Sequence, residues 1–373
     1  MTLSPILILF ANLKGNLGDF AILHAMLEEL EKRYPGREKH VVSHGQHGVD
    51  EARLEAFRRQ AHPPFIYKGK TPFTRIPPVL SVFKRIGLER WLSGKLIDRL
   101  SAQYAEKFPA SAAADYEAVF FAGGEQWSGF SNGITMLSVL CAMARSNRNL
   151  SIFPFSVKKK LLQSYSVQRL AACFSLLSGN LVVRDSHSGE IVKKFAPRVV
   201  NGADCVFSLA DVAADLPPAP REEAVMIALT AGDGSRVADL LPMIRNLQAG
   251  GYLVRLLTTC EREDGKDLQM LSKTLGVEFL APATWQEVVS EFKSSAIVVT
   301  NRLHCMIFTF FADVPLVPLL NREKVVGVFR DAELPHALNH AAELTPAKVA
   351  ECLRDETHIR HQMRAYLEKV RQP

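Results

Sequence analysis

Short apolar segments alternate with amphipathic stretches along nearly the whole chain, and this alternation constrains the fold more than any other feature. Five apolar segments occupy the first half, at residues 5–11, 41–43, 118–121, 150–155 and 181–183. Five more occupy the second half, at residues 225–229, 252–258, 277–280, 296–299 and 314–319. Strands that alternate with helices form βαβ units, in which the strands are parallel. The pattern therefore predicts an α/β protein with doubly wound, Rossmann-like sheets.

The proline-rich segment at residues 215–220 divides this pattern into two parts. A chain of 373 residues is also too long for one ordinary core, and its length suggests two domains. We predict an N-terminal domain at residues 1–215 and a C-terminal domain at residues 221–373, whose last helix packs back on the first domain. Two such domains joined by a short linker face each other across a cleft at the carboxyl ends of their strands.

The cysteines and the apolar N-terminal segment indicate a cytoplasmic protein. Six cysteines are scattered through the chain without a CxxC pair, as is typical of reduced core residues. Residues 5–11 lead directly into a glycine-containing loop and lack the basic start and cleavage site of a signal peptide, so they predict a first strand. No segment reaches the roughly 20 apolar residues of a membrane-spanning helix.

The segment at residues 67–99 accounts for the net positive charge of the chain, and the remainder is close to neutral. It holds eight lysines and arginines against two acidic residues, and apolar side chains are interleaved with the bases. One interpretation is a basic helical insertion that binds an anionic membrane surface. The other is an ordinary helical insertion whose bases face solvent. No DNA-binding or RNA-binding module surrounds the segment, so no nucleic-acid partner is expected.

Two basic side chains, Arg302 and His304, occupy the junction between the apolar segments 296–299 and 305–311. This junction is a predicted helix start, where unpaired N–H groups and the helix dipole disfavour positive charge. A bound phosphate or carboxylate would reverse that preference, and arginine would add a planar two-pronged donor. The alternative is structural, with Arg302 in a cap contact and His304 half buried. Arg184 follows another predicted strand in the same manner and is a second candidate cation.

Two glycine-containing loops follow predicted strands, and both are candidates for contact with a substrate. Their residues of interest are Asn16, Gly18 and Asp19 in the first loop, and Gly123, Gly124 and Glu125 in the second. Glycine lets a ligand approach the backbone closely, whereas a tight turn is the structural alternative. No set of histidine, cysteine and acidic residues has zinc-ligand spacing, so no metal site is predicted.

Taken in order, these motifs resemble the polysaccharide pyruvyl transferase family over most of the chain. The matching residues are Asn16-Leu17-Gly18-Asp19, Gly123-Gly124, Arg184-Asp185 with Ser188, Asp204 with Phe207, Arg302-Leu303-His304, Pro315 and Lys324. The resemblance implies a two-domain fold of the GT-B glycosyltransferase type. It also implies an enzyme that transfers the enolpyruvyl unit of phosphoenolpyruvate to a sugar as a cyclic ketal. The sequence departs from the family at Glu125, where glycine is usual, and at residues 153–158, where a Gly-Gln-Ser-x-Gly-Pro-like stretch is common.

The basic residues suit that chemistry. Phosphoenolpyruvate carries a phosphate and a carboxylate close together, so we expect Arg184, Arg302 and Lys324 to bind it, with no further cofactor. Protonation of its methylene carbon needs an acid that works near neutral pH, which makes His304 the catalytic candidate. We expect replacement of any one of these cations to leave the unliganded fold intact or to stabilise it, because three gathered cations would repel one another without the anion.

The resemblance also implies the partners. The expected acceptor is a sugar or lipid-linked oligosaccharide of a surface polysaccharide or exopolysaccharide precursor, and the place of action is the cytoplasm, with peripheral contact at the inner face of the membrane if the segment 67–99 binds lipid. Two alternatives remain open. One is a nucleotide-sugar-dependent GT-B glycosyltransferase, which shares the fold. The other is a non-catalytic, membrane-associated scaffold of polysaccharide assembly, which would bind no small anion.

Overall fold

The computed structural model describes residues 3–44, 48–60, 63–70, 89–107, 115–127, 130–147, 149–217, 220–230 and 237–371. Contacts divide the chain into two compact units. The first unit consists of Met1–Lys14, Ile22–Val49 and Gln60–Cys205. The second unit consists of Gly15–Ala21, Asp50–Arg59 and Val206–Pro373.

Within the described residues, the strands of the first unit are parallel and form two sheets. They are β1 (Ile6–Ala11), β2 (Lys39–Ser43), β3 (Ile66–Lys70), β4 (Ala118–Phe121), β5 (Gly124–Trp127), β6 (Leu150–Ile152), β7 (Phe155–Val157), β8 (Leu181–Val183) and β9 (Val199–Asn201). One sheet has the order β3-β2-β1-β4-β6 and the other β5-β7-β8-β9. Strands β1, β2 and β4 are buried along their whole length rather than at alternate residues. Such burial is typical of parallel strands that are covered on both faces, as the sequence pattern predicted.

The helices of the first half of the chain connect these strands. They are α1 (Leu17–Arg33), α2 (Glu51–Gln60), α3 (Glu89–Lys107), α4 (Phe130–Met143), α5 (Lys160–Ser164), α6 (Val167–Phe174) and α7 (Ser186–Val192). Helices α3 and α4 pack on each other. Tyr104, Phe121, Leu140 and Tyr165 belong to the apolar core that these helices and strands share.

Two neighbouring strands of the first unit each leave one sheet and continue in the other, a feature that we call the strand crossing. Strand β4 continues as β5 after Gly123, and β6 continues as β7 after Pro154. A side chain at Gly123 would place its Cβ 2.5 Å from the carbonyl oxygen of Pro154. Gly124 has a φ of +98°, and its N–H donates to the same carbonyl at 3.2 Å. Both glycines therefore have a structural reason: at Gly123 two backbones come too close for a side chain, and at Gly124 the positive φ favours glycine.

The second unit has a single sheet of parallel strands in its described part. The strands are β10 (Ala224–Ala228), β11 (Leu253–Leu257), β12 (Glu278–Leu280), β13 (Ile297–Thr300) and β14 (Leu316–Pro318), in the order β12-β11-β10-β13-β14. Strands β10 and β13 are neighbours although two strands separate them in the sequence. The strand order therefore reverses between them, and this is the position at which open α/β sheets bind ligands.

The remaining helices surround this sheet or follow it. They are α8 (Ala210–Ala214), α9 (Val237–Ala249), α10 (Lys266–Leu275), α11 (Trp285–Lys293), α12 (Leu303–Ala312), α13 (Glu323–Asp331), α14 (Pro346–Arg354) and α15 (Glu356–Arg371). Helix α12 is apolar and nearly all of its residues are buried. It contacts α8, α11, α13 and α15, so it is the central helix of the second unit.

The contacts place the main division after Cys205 and assign Gly15–Ala21 and Asp50–Arg59 to the second unit, whereas the sequence placed the division at residues 215–221. The difference arises because the segment after Cys205 packs on the second unit. Phe207 lies against Phe310 and Tyr366, with ring centroids 6.0 and 5.5 Å away. The last helix, which we expected to pack back on the first domain, contacts α12 and this segment, and Arg371 forms an ion pair with Asp211.

The basic segment at residues 67–99 differs from the predicted helical insertion. Its first residues belong to β3, an edge strand paired with β2, and its last residues belong to α3. Residues 71–88, which hold most of the predicted amphipathic pattern, lie outside the described residues. In the part of the chain that the structure describes, no helix is long and apolar enough to cross a membrane.

Candidate active site

One side chain, that of Thr300 at the end of β13, links this strand both to β10 and to the start of helix α12. The hydroxyl of Thr300 donates to the carbonyl oxygen of Ala228 at 2.6 Å and accepts from the N–H of Arg302 at 3.0 Å. Arg302 is the N-cap residue, and its side chain makes no capping hydrogen bond. The first turn of an uncapped helix presents N–H groups that favour an anion. Arg302 and His304 therefore stand where the sequence placed them, at a helix start suited to phosphate or carboxylate.

Arg302 is already paired with a buried carboxylate. Its Nη2 donates to Oδ2 of Asp264, which lies in the π-helical turn Glu261–Gly265 and is fully buried. Glu263 lies 3.9 Å from the same nitrogen. Among the described residues, the Nε and Nη1 atoms of Arg302 have no hydrogen-bond partner. One side of the guanidinium is thus held in place, and the remaining donors can bind a ligand.

Arg184 is also paired, within the first unit. Its Nη1 donates to Asp204 at 2.6 Å and its Nε to the hydroxyl of Ser156 at 2.6 Å, and both ionic partners are almost fully buried. Ser156 in turn donates to Asp185, which caps α7 by accepting the N–H of Ser188. Both arginines therefore have a buried acidic partner, which the sequence did not reveal. Their acidic partners lie on other elements, and no local spacing in the sequence marks them.

Lys324 lies at the second residue of α13, which follows β14. Because β14 is the parallel neighbour of β13, Lys324 and Arg302 both lie near helix starts at the carboxyl edge of one sheet. Lys324 is half buried and has further interactions of its own. The second unit therefore contains two of the three predicted donor-binding cations, and Arg184 belongs to the first unit.

His304 lies against the glycine loop that begins α1, so two distant parts of the sequence meet here. An added Cβ at Gly18 would lie 2.7 Å from the Cβ of His304 and would overlap its imidazole ring. The side-chain oxygen of Asn16 accepts the N–H of Gly18 at 3.1 Å. The N–H of Leu17 donates to the carbonyl oxygen of Thr259, after β11, at 3.0 Å. The backbone of Gly18 thus packs against the candidate catalytic histidine, and Asn16 holds that backbone through its hydrogen bond.

Arg53 fastens this loop and was not singled out from the sequence. Its Nη1 donates to the carbonyl oxygens of Gly15 and Thr259, and the residue is almost fully buried. It lies on α2 with Leu54 and Phe57, which are the other buried residues of that helix. The sequence signal that could have identified Arg53 is its place on the apolar side of a short helix, where basic residues are seldom buried.

The other candidate loop residues have different places in the structure. Gly123 and Gly124 are explained by the strand crossing in the first unit, and Glu125 is the second residue of β5. Asp19 lies in the first turn of α1, where its N–H donates to the carbonyl oxygen of Asn16 at 3.0 Å. Asp19 is half exposed, so it keeps its candidacy for contact with an acceptor.

The thiols near this site are not suited to nucleophilic chemistry. Burial raises the pKa of the Cys305 thiol. Burial and the nearby Glu263 carboxylate raise the pKa of the Cys260 thiol. A thiol with a raised pKa carries little thiolate, which is the reactive form. Within the described residues, no group of three or more histidine, cysteine and acidic side chains is placed to hold a metal ion.

Replacing Gly18 with alanine should displace His304. Alanine normally stabilises a helix relative to glycine, but here the new methyl group meets the imidazole, and overpacking typically costs about 1–3 kcal/mol. Gly94 is the matched control, because it also lies inside a helix and an added Cβ there meets nothing within 4 Å. We expect Gly94→Ala to be neutral or stabilising in thermal denaturation, and Gly18→Ala to be destabilising and impaired in turnover. Equal behaviour of the two variants would contradict the contact.

Two Rossmann-like units, one of which carries basic residues at helix starts along its sheet edge, define an α/β protein of the GT-B type. Solved structures with this fold include UDP-GlcNAc 2-epimerase from Neisseria meningitidis bound to UDP-GlcNAc (TM-score 0.55, 10% identity, 98% of this chain and 93% of that chain). The enzyme from Methanocaldococcus jannaschii is similar (TM-score 0.54, 12% identity, coverage 95% and 92%), as is MnaA of S. aureus with UDP (TM-score 0.56, 13% identity, coverage 97% and 91%). At such identities the similarity concerns the fold alone.

The family follows from the sequence itself. A family model described as polysaccharide pyruvyl transferase matches residues 16–323 of this chain. The protein therefore belongs to the polysaccharide pyruvyl transferase family, a family of transferases, as the ordered motifs predicted. Comparison with curated proteins finds no match.

Proposed function

We propose that this protein transfers the pyruvyl group of phosphoenolpyruvate to a sugar of a surface polysaccharide or exopolysaccharide precursor. The product is a cyclic pyruvate ketal, and phosphate is released. The observation that carries the proposal is the uncapped start of α12, where Arg302 is anchored by Asp264 and His304 lies beside the Gly18 backbone. An anion-suited helix start with a titratable side chain is what an anionic enol ether that must be protonated requires.

The donor would be held by cations and backbone together. Arg302 would use the donors that Asp264 leaves available, and Lys324 would add a second charge from the neighbouring helix start. Arg184, in the first unit, is the third proposed ligand. Because Asp204 offsets the charge of Arg184 in the first unit, and Asp264 offsets the charge of Arg302 in the second, neither arginine is an uncompensated cation.

His304 would act as the acid and then as the base. It would give a proton to the methylene carbon of phosphoenolpyruvate, and the carbon that bears the phosphate ester would become an oxocarbenium centre. One sugar hydroxyl attacks that carbon and loses its proton to His304. The bond from this carbon to the phosphate oxygen then breaks, and phosphate leaves with the electron pair. A second sugar hydroxyl attacks the same carbon, loses its proton to the departing phosphate and closes the ketal.

The acceptor would be a free sugar unit or a lipid-linked oligosaccharide, met in the cytoplasm or at the inner face of the membrane. Asn16 and Asp19 are the loop residues best placed for it, because their loop borders His304 through Gly18. Gly123 and Gly124 are weaker candidates, since the strand crossing accounts for them.

Binding measurements separate this proposal from its alternatives. Calorimetric titration with phosphoenolpyruvate should give saturable binding, and a panel of nucleotide sugars should give none. A nucleotide-sugar-dependent glycosyltransferase would show the reverse result. A scaffold without catalytic activity would bind neither class of compound.

Turnover in D₂O tests the addition step directly. Because the proton is transferred to carbon, we expect one deuterium in the pyruvyl methyl group of each product molecule. Mass spectrometry of the product measures the label, and incubation of the finished product in D₂O is the control for later exchange. An unlabelled methyl group would rule out protonation at the methylene carbon.

A further inference from the structure

Two buried donors lie side by side at the carboxyl edge of the second sheet. Thr230 follows β10 and is 5% exposed, and Asn301 follows β13 and is fully buried. The N–H of Thr230 donates to Oδ1 of Asn301 at 2.8 Å. That bond fixes the orientation of the amide, since the reverse orientation would set two donors against each other. Nδ2 of Asn301 must therefore donate to something other than this N–H.

Neither donor has found an acceptor within the described residues. The hydroxyl oxygen of Thr230 and the Nδ2 of Asn301 are both buried, and neither has a hydrogen-bond partner there. Buried polar groups are almost always paired, because an unpaired one has lost its bonds to water without replacement. A neighbouring pair of such groups therefore indicates a missing acceptor.

The position of this pair points to the nature of that acceptor. Ala228 of β10 is in register with Thr300 of β13, and these strands border the point at which the strand order reverses. Asn301 directly precedes Arg302, the N-cap residue of the uncapped helix α12. Helix starts of this kind favour oxyanions. Since Asp264 already offsets the charge of Arg302, an anion bound here needs further donors.

We infer that Thr230 and Asn301 form an oxyanion-binding pair that holds the phosphate group of the donor substrate. The inference rests on the proposed function. A phosphate group has three terminal oxygens and accepts more hydrogen bonds than a carboxylate, so it makes the greater use of neutral donors. Donors without charge also let the phosphate leave once its ester bond has broken. Both residues are binding residues and transfer no proton.

Thr230→Val is the decisive variant, because it keeps the shape of the side chain and removes the hydroxyl. We expect it to weaken the binding of inorganic phosphate and of phosphoenolpyruvate about tenfold or more, as loss of a hydrogen bond to a charged group does. The melting temperature of the unliganded protein should rise, since a buried unpaired hydroxyl has been removed. Thr230→Ser, which keeps the hydroxyl, should bind both anions nearly as the wild type does.

Asn301→Asp is the second variant, because its carboxylate can still accept the N–H of Thr230 while repelling an anion. We expect a larger loss of phosphate affinity than in Thr230→Val. Phosphorus NMR titration with inorganic phosphate measures this in all variants. Pyruvate, which has the carboxylate without the phosphate, is the comparison probe, and calorimetry measures its binding. Binding of pyruvate should be the same in Thr230→Val as in the wild type.

Three results would overturn the assignment. The first is unchanged phosphate affinity in Thr230→Val. If the melting temperature of that variant also falls, the hydroxyl has a structural partner such as a buried water. A loss of pyruvate binding instead of phosphate binding would assign the pair to the carboxylate. Wild-type phosphate affinity in a folded Asn301→Asp variant would remove Asn301. Failure of the proposed function looks different: the wild type would not bind phosphoenolpyruvate, while phosphate binding would still depend on Thr230.

Discussion

Arg302→Ala is expected to lose about 3–5 kcal/mol of folding free energy as well as donor binding. The variant removes the arginine that pairs with the fully buried carboxylate of Asp264, and loss of one member of a buried ion pair costs about that much. This expectation reverses the one from the sequence alone, which foresaw relief of charge repulsion. Urea denaturation of the purified variant measures the change.

Matched variants separate the structural part of this effect from the binding part. Arg364→Ala breaks an exposed pair with Asp313 in the same unit and should cost at most about 1 kcal/mol. Replacing Arg302 with methionine and Asp264 with leucine together should recover most of the lost stability, because no buried charge remains. The double variant should still fail to bind phosphoenolpyruvate. Arg302→Lys should keep the fold and bind about tenfold or more weakly, since an ammonium group lacks the planar fork. Wild-type affinity in Arg302→Lys and in the double variant would remove Arg302 from the donor site.

His304→Ala should reduce ketal formation by about 10² to 10⁴ while most of the phosphoenolpyruvate affinity remains. The reason is that His304 is proposed to transfer a proton rather than to bind the anion, and general acid catalysis typically contributes such a factor. Single-turnover product formation measures the rate, and calorimetry measures the affinity. His358→Ala, at an exposed position of α15, is the control and should behave as the wild type does. If His304→Ala forms product at the wild-type rate, the acid is another group.

The parallel α/β architecture was predictable because it rests on short-range patterns. Buried runs such as Ile6–Ala11 and Ile297–Thr300 are apolar along their whole length, and helix-forming stretches separate them. The division of the chain was less predictable. The proline-rich segment is a local signal in the sequence. The residues before it belong to the second unit through a tertiary contact between Phe207 and Tyr366, which no local pattern reveals.

The sequence could predict those parts of the candidate site that directly follow a predicted strand. Arg302 and His304 stand at a helix start, as expected from their position after an apolar segment. The carboxylates that neutralise the arginines were not predictable, because Asp264 and Asp204 come from other elements. The contact between Gly18 and His304 was not predictable for the same reason.

The strand crossing at Gly123 bears on how mutational scans of this protein should be interpreted. Every substitution at this position is expected to be deleterious, because any side chain meets the carbonyl oxygen of Pro154, a backbone atom that no change of side chain can remove. A scan scored by polysaccharide production would rank Gly123 with the catalytic residues. Only a parallel scan scored by protein abundance would reveal that the loss lies in folding, and that the position carries no information about the substrate.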